Sequence, residues 1–249
     1  MLKAVFFDLD GTLLPMDEDK FTKLYFKLLC EKVKPLGYEP NKLINCIWEG
    51  TKLMYQNDSG KNNEEVFWEC FLKNYDENAF QNKEVFDEFY LKEFYLAKDS
   101  CGKNSFAKDI ITFAKKLVGK VILTTNPIFP YNGVKTRLDF INLVPEDFDY
   151  ITTYENSYHC KPNPKYFKDV LDKFNLLANE VILFGNNDQE DYLCAKLAGI
   201  TCYLVGENLI LHDNIKDEIP HIMMKDVVKI IDEEFKKRNN EKQNNPSNT

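Results

Sequence analysis

The chain has 249 residues, enough for one large domain or for a domain carrying a substantial insertion. Its formal net charge of −8 argues against a nucleic-acid or acidic-membrane partner, because either needs a basic face. No run approaches the roughly 18 apolar residues of a membrane span, and no basic, apolar leader precedes the first strand-like segment, so a cytoplasmic protein is expected.

The first predicted element is Val5-Phe6-Phe7-Asp8-Leu9-Asp10-Gly11-Thr12-Leu13-Leu14. It opens as a buried strand and ends with two aspartates two residues apart. Period-two geometry points Asp8 and Asp10 to the same side of an extended segment. Two carboxylates at the end of an apolar strand repel each other and are costly to bury. A hard divalent cation, which takes oxygen ligands, is the natural counter-charge. Read alone, Asp-Gly after an apolar run is also an ordinary turn.

More than a hundred residues separate this strand from the next, far more than a crossover helix requires. The segment from Met16 to Lys98 shows helical rather than strand periodicity, in Phe21, Leu24, Tyr25, Leu28, Leu29 and Val33 and in three later runs. It predicts a bundle of about four helices, punctuated at Gly37 with Pro40 and at Asn57 to Gly60. Its aromatic residues are expected in the core, with one or two lining a pocket. Trp48, Lys52, Tyr55 and Trp68 are candidate contacts, core packing being the expectation for both tryptophans.

Four further strands follow, at Lys120–Thr125, Asp149–Thr153, Glu180–Gly185 and Thr201–Val205. Helical patterns lie between them, at Phe106–Val118, Gly133–Leu143, Pro164–Phe174 and Glu190–Ala198. Continuous apolar strands alternating with helices predict an α/β fold, a doubly wound parallel five-stranded sheet of Rossmann-like form. The expected division is a core of residues 1–15 and 99–234, a helical insertion of 16–98, and a disordered tail of 235–249 that is rich in Lys, Asn, Gln and Glu. The seven cysteines include no Cys-x-x-Cys pair and read as reduced, buried thiols. The three histidines lack metal-ligand spacing, and none is assigned a ligand role.

Ligands of open α/β sheets bind outside the carboxyl ends of the strands. Asp8 and Asp10, Thr124 to Asn126, Lys161, and Asn186 to Asp191 all follow predicted strands and should meet there. The set suits phosphoryl transfer. Asp8 is placed to attack phosphorus, Asp10 to handle protons, and Thr125, Asn126 and Lys161 to bind phosphate oxygens. Each also has a structural alternative: a turn at 125–127, a solvated Lys161, and a capped polar helix start at 186–191.

These segments resemble the haloacid dehalogenase (HAD) superfamily, in its phosphatase branch. Asp8-Leu9-Asp10-Gly11-Thr12 is similar to the first motif, Thr125 after Val-Ile-Leu-Thr to the second, Lys161 before Pro162 to the third, and Gly185 to Asp191 to the fourth. The resemblance implies a nucleophile at Asp8 and an acid/base at Asp10. It implies Mg²⁺ held by Asp8, the Asp10 carbonyl and a side chain of the fourth motif, with Asn186 and Asp191 as candidates. It also implies that the helical insertion is a C1-type cap. Asp10 disfavours dehalogenation, since a halide leaves without a proton. Asn186 stands where the family commonly has Asp, which leaves Asp191, or an inward-turned Asp188, as the acidic alternative. The implied activity is Mg²⁺-dependent hydrolysis of a small phosphorylated metabolite through an aspartyl-phosphate. The alternatives are a phosphomutase of the same fold and a weakly catalytic regulatory protein that binds a phosphorylated ligand. No nucleic-acid or membrane partner is expected, and a monomer is compatible with the sequence.

Overall fold

The computed structural model describes residues 1–213 and 218–244. Six parallel strands form one sheet in the order β3-β2-β1-β4-β5-β6. They are β1 (Ala4–Phe7), β2 (Val121–Leu123), β3 (Tyr150–Ile151), β4 (Val181–Gly185), β5 (Thr201–Val205) and β6 (His221–Ile222). The expected doubly wound parallel sheet is present, and a sixth strand extends it. Two residues of β6 pairing beside β5 are too short to register as an apolar run.

Both sheet faces are covered, and β1 records the alternation. Val5 and Phe7 point into one apolar cluster, Ala4 and Phe6 into the other. The second cluster is closed by α7 (Lys165–Lys173) and α8 (Cys194–Ala198). The first is closed by α5 (Ala107–Val118) and α9 (Val227–Asn244). It runs on without a break into the aromatic core of the helices that follow β1.

Helix α9 overturns part of the expected tail. Residues 235–244 continue a helix, because Phe235 packs against the apolar cluster and Arg238 ties the helix to the sheet. The Arg238 guanidinium donates to the carbonyls of Asn179 (2.8 Å) and Val181 (3.0 Å), and it pairs with Glu234 one turn earlier. Residues 245–249 lie outside the described residues.

Four α-helices lie between β1 and α5, as the periodicity predicts: α1 (Glu18–Val33), α2 (Pro40–Tyr55), α3 (Asn63–Asn74) and α4 (Lys83–Leu91). Local chemistry fixes their starts. The Asp17 side chain caps α1 by accepting from the Lys20 N–H at 3.1 Å. Asn62 and Glu65 form a reciprocal capping box on α3. The two connections to the rest of the chain run side by side. Met16 bridges to Cys101, and the Gly102 N–H donates to the Pro15 carbonyl at 2.7 Å. A side chain on residue 102 would press on the Pro15 ring at 2.9 Å, so glycine permits this approach.

The helices rest against the strand ends at several points. Asn63 donates to the Pro127 carbonyl (3.1 Å), the Glu64 N–H to the Tyr154 carbonyl (2.9 Å), and the Thr136 hydroxyl to the Tyr90 carbonyl (2.7 Å). All seven cysteines are free. Among the described residues, no helix is long and apolar enough to cross a membrane.

Candidate active site

Register brings the motif residues together. Phe7 pairs with Leu123 on one side and Phe184 on the other, so the next residues of three adjacent strands emerge at one edge. The Asp8 N–H donates to the Phe184 carbonyl (2.9 Å) and the Thr124 N–H to the Phe7 carbonyl (2.7 Å), which extends the ladder by one residue. Asp8, Thr125, Asn186 and Asp191 are almost fully buried there, and so is Lys161.

Lys161 is the electrostatic centre. Its Nζ donates to Asp8 Oδ1 at 2.7 Å and to Asp191 Oδ1 at 2.6 Å. These two carboxylates hold the ammonium well above its ordinary range against the opposing effect of burial. One ammonium cannot neutralise both acids, and Asp10 stands nearby. Burial, aided by Asp191 and Asp10, pushes the Asp8 carboxyl up to about 8 despite Lys161. Only with Asp8 ionised do Asp8, Asp10 and Asp191 exceed the two cations beside them, Lys161 and Arg137, so an added cation would favour the ionised form of Asp8.

The run after β4 is sorted by hydrogen bonds. Asn187 caps a π-helical turn over Asp188–Leu193, accepting from the Gln189 N–H (2.9 Å) and the Glu190 N–H (3.1 Å). Such turns recur at functional sites. The turn swings Asp191 back so that its Oδ2 accepts from the N–H groups of Asn186 (2.9 Å) and Asn187 (3.0 Å). With Oδ1 on Lys161, the Asp191 carboxylate is committed at both oxygens, which argues against it as a direct metal ligand. It can lie this close only because residue 185 is glycine, where a Cβ would fall 2.3 Å from the Asp191 carboxyl carbon. Asp188 does not turn inward. It binds both the ring and the backbone N–H of His212.

Asn186 is linked to Asp8 through Thr12. The Thr12 hydroxyl lies 3.1 Å from Asp8 Oδ2 and 3.2 Å from Asn186 Oδ1, so two oxygen donors converge on one point. The amide of Asn186 donates to the Asn208 carbonyl at 2.8 Å, which leaves its oxygen facing the Thr12 hydroxyl. Gly11 makes room, with φ at +79° and a would-be Cβ only 2.1 Å from the Asn186 amide nitrogen. A hard divalent cation fits this donor set. Among the described residues no three His, Cys, Asp or Glu side chains form a metal cluster, so such an ion would draw on Asp8, the Asn186 amide oxygen and backbone carbonyls.

Thr125 lines the cavity over Asp8, and its carbonyl is fixed by the hydroxyls of Thr152 (2.8 Å) and Tyr166 (2.9 Å). The Asn126 side chain accepts from the Lys161 N–H (3.2 Å) and donates to the Lys161 carbonyl (3.2 Å) and to Glu190 (2.9 Å). The side-chain amide thus positions the lysine loop, and Asn126 still lines the cavity beside Thr125.

Two participants escaped the sequence reading. Arg137, on α6 (Tyr131–Asp139), is buried and pairs through Nη1 with Asp10 Oδ2. Its guanidinium lies over Phe129, 4.2 Å from the ring centroid. The chain has only two arginines among 32 basic residues, and this economy is the signal that could have exposed it. The other is Glu190, which faces the helices and accepts from the Tyr55 hydroxyl at 3.2 Å. Arg137→Ala should destabilise the fold by about 3 kcal/mol, because it strands a partly buried carboxylate and leaves a void. Thermal unfolding checks this, and a midpoint within 2 °C of the wild type would contradict it.

The cavity above Asp8 has a volume of about 290 Å³ and reaches from the strand ends into α1–α4. Trp48 and Trp68 both line it. Trp68 is buried as expected. Trp48 is 50% exposed at the mouth, against the expectation of core packing, because its position on α2 faces outward beside Phe26. Tyr55 lines the cavity, while Lys52 does not.

The family model for haloacid dehalogenase-like hydrolases matches residues 2–199. Solved structures with the same fold include a HAD phosphatase from Thermococcus onnurineus, 19% identical, covering 92% of this chain and 98% of that one at a TM-score of 0.60. A 2-haloacid dehalogenase from Pseudomonas syringae pv. Tomato DC3000 is 19% identical, with coverages of 94% and 99% and a TM-score of 0.61. CbbY from Rhodobacter sphaeroides, solved in complex with phosphate, is 14% identical, with coverages of 92% and 96% and a TM-score of 0.55. No curated protein matches the chain significantly.

Proposed function

The chain belongs to the haloacid dehalogenase-like hydrolase family, and from that premise we propose that it is a Mg²⁺-dependent phosphomonoesterase with Asp8 as nucleophile. The observation that carries this reading is the buried pair of Asp8 with Lys161, set beside Asp10 at the floor of the cavity. Asp8 Oδ attacks phosphorus as the bond from phosphorus to the ester oxygen breaks, giving an aspartyl-phosphate. Asp10 supplies the proton to the departing alkoxide. Water then attacks the acyl phosphate, Asp10 takes its proton, and orthophosphate leaves.

Lys161 and the Thr125 hydroxyl stabilise the non-bridging oxygens. Mg²⁺, held by Asp8, the Asn186 oxygen and the Asp10 carbonyl, would supply charge neutralisation between an anionic nucleophile and an anionic ester. Asp191 serves behind this arrangement by fixing Asn186, Asn187 and Lys161. Arg137 holds the Asp10 side chain in place. The segment 16–98 acts as a cap of C1 type over the core of residues 1–15 and 99–234. Its paired connections at Pro15–Gly102 serve as the hinge, and the Tyr55–Glu190 bond as a latch on the opposite side.

Asp10 favours an oxygen leaving group over a halide, so phosphate-ester hydrolysis is preferred to dehalogenation. A panel of phosphomonoesters with Mg²⁺ added or chelated tests the reading. Mg²⁺-dependent release of orthophosphate is expected. Phosphate that moves to another hydroxyl without release would indicate a mutase, and absence of turnover with every ester would refute the enzyme.

A further inference from the structure

The cavity is chemically lopsided. Its floor carries the candidate phosphate site, while its upper part is aromatic: twelve of the lining residues are Phe, Tyr or Trp. Six carboxylates also line it, and Arg137 is the one cation among the described lining residues. That guanidinium is already paired with Asp10. A second anionic group on a substrate would therefore meet Glu18 and Asp87 in the upper cavity, with only the unpartnered Nη2 of Arg137, held beside Asp10, to receive it.

The polar atoms of the upper cavity are largely satisfied by one another. The hydroxyls of Tyr25 and Tyr90 lie 2.9 Å apart, the Trp68 indole donates to the Tyr154 hydroxyl at 3.5 Å, and the Tyr55 hydroxyl is on Glu190. A polyhydroxylated substrate would have to break these bonds or crowd its hydroxyls onto the Glu18 and Asp87 carboxylates, since the aromatic walls offer them no strong partner. A flat ring instead finds offset and edge-on partners in walls such as Phe21, Trp48 and Phe129.

Building on the phosphatase reading, we propose that the substrate class is a phosphate monoester whose organic part is a planar, unsaturated ring without a second anion. Sugar phosphates, bisphosphates and phosphorylated carboxylates are disfavoured. The ring sits between Trp48 at the mouth and the Phe129–Arg137 stack beside Asp10.

Benzyl phosphate, glucose 6-phosphate and phosphoglycolate test this, since all three leave as ordinary alcohols and differ in the part that fills the cavity. With Mg²⁺ and the wild-type chain, kcat/KM for benzyl phosphate should exceed the other two at least tenfold. Calorimetric titration of the Asp8→Asn chain should show benzyl phosphate binding at least tenfold tighter. Trp48→Ala should shrink the benzyl-to-glucose ratio. A ratio near or below one in either assay overturns the proposal while leaving the phosphatase reading intact. Turnover of none of the esters sinks that reading, and the calorimetric ratio then decides this one alone. Absence of binding by benzyl phosphate overturns it.

Discussion

Asp8→Asn is expected to lower phosphomonoesterase turnover by about a thousandfold or more, because it removes the atom that attacks phosphorus. The same change should not weaken the fold. Two carboxylates share one ammonium at this site, and burial raises the Asp8 carboxyl to about 8. An acid whose folded value lies above its unfolded value of about 3.9 costs stability as pH rises between the two, since the folded state must then release a proton it holds more tightly. In chelator, the wild-type melting temperature should therefore fall relative to Asp8→Asn as pH increases from about 4 to about 8. Added Mg²⁺ should narrow the gap by stabilising the wild type, by about 1.4 kcal/mol for an ion at ten times its Kd, and the variant less. Retained turnover in the variant excludes the aspartyl-phosphate route. A wild type that gains stability over the variant across that range excludes the excess-charge account.

Lys161→Met should produce the largest structural effect. It leaves Asp8 and Asp191 facing each other with no counter-charge, and both are buried. Breaking a buried pair by removing one partner costs about 3–5 kcal/mol. For a chain of this size that corresponds to a melting point lower by roughly 6–20 °C. Turnover should also fall by about a hundredfold or more, through loss of charge stabilisation on the transferring group. Adding Asp191→Asn to Lys161→Met separates the two contributions. The double variant should recover part of the lost stability and none of the activity. Denaturant midpoints and initial rates report each quantity, and a single variant that unfolds with the wild type contradicts the burial of the pair.

Legibility in the sequence followed range. The strand ends were readable because apolar strands stop sharply at polar residues, and the parallel sheet then obliges those residues to meet. That reasoning placed Asp8, Thr125, Lys161 and Asn186 together, as found. It also groups Asn126 with the phosphate-binding residues, but the hold of its side chain on the Lys161 backbone is not legible, since a side-chain amide carries no sign of which backbone it will bind. Asp191 shows the same limit from the other side. Its spacing was right, but only the π-helical turn reveals that its oxygens are consumed by two N–H groups and an ammonium. Periodicity misses Arg137 and Glu190 for another reason. Each acts through a partner far away in the chain, Asp10 and Tyr55 respectively, and periodicity reports only near neighbours. The tail was misread because a polar composition hides the few contacts, through Phe235 and Arg238, that hold a terminal helix down.

Asn186 has a consequence for how the chain lives before it meets a cation. An aspartate there would set two like charges on the single Thr12 hydroxyl, and it would turn an oxygen toward the Asn208 carbonyl that the present amide satisfies. Both effects would make the ion-free chain self-repelling at its most crowded point, between Gly11 and the loop after β5. The neutral amide instead stitches that loop to the first motif with or without an ion. On the proposed reading the fold therefore does not wait for the ion, and Mg²⁺ would enter as a late, exchangeable addition, with tight retention given up for self-sufficient assembly.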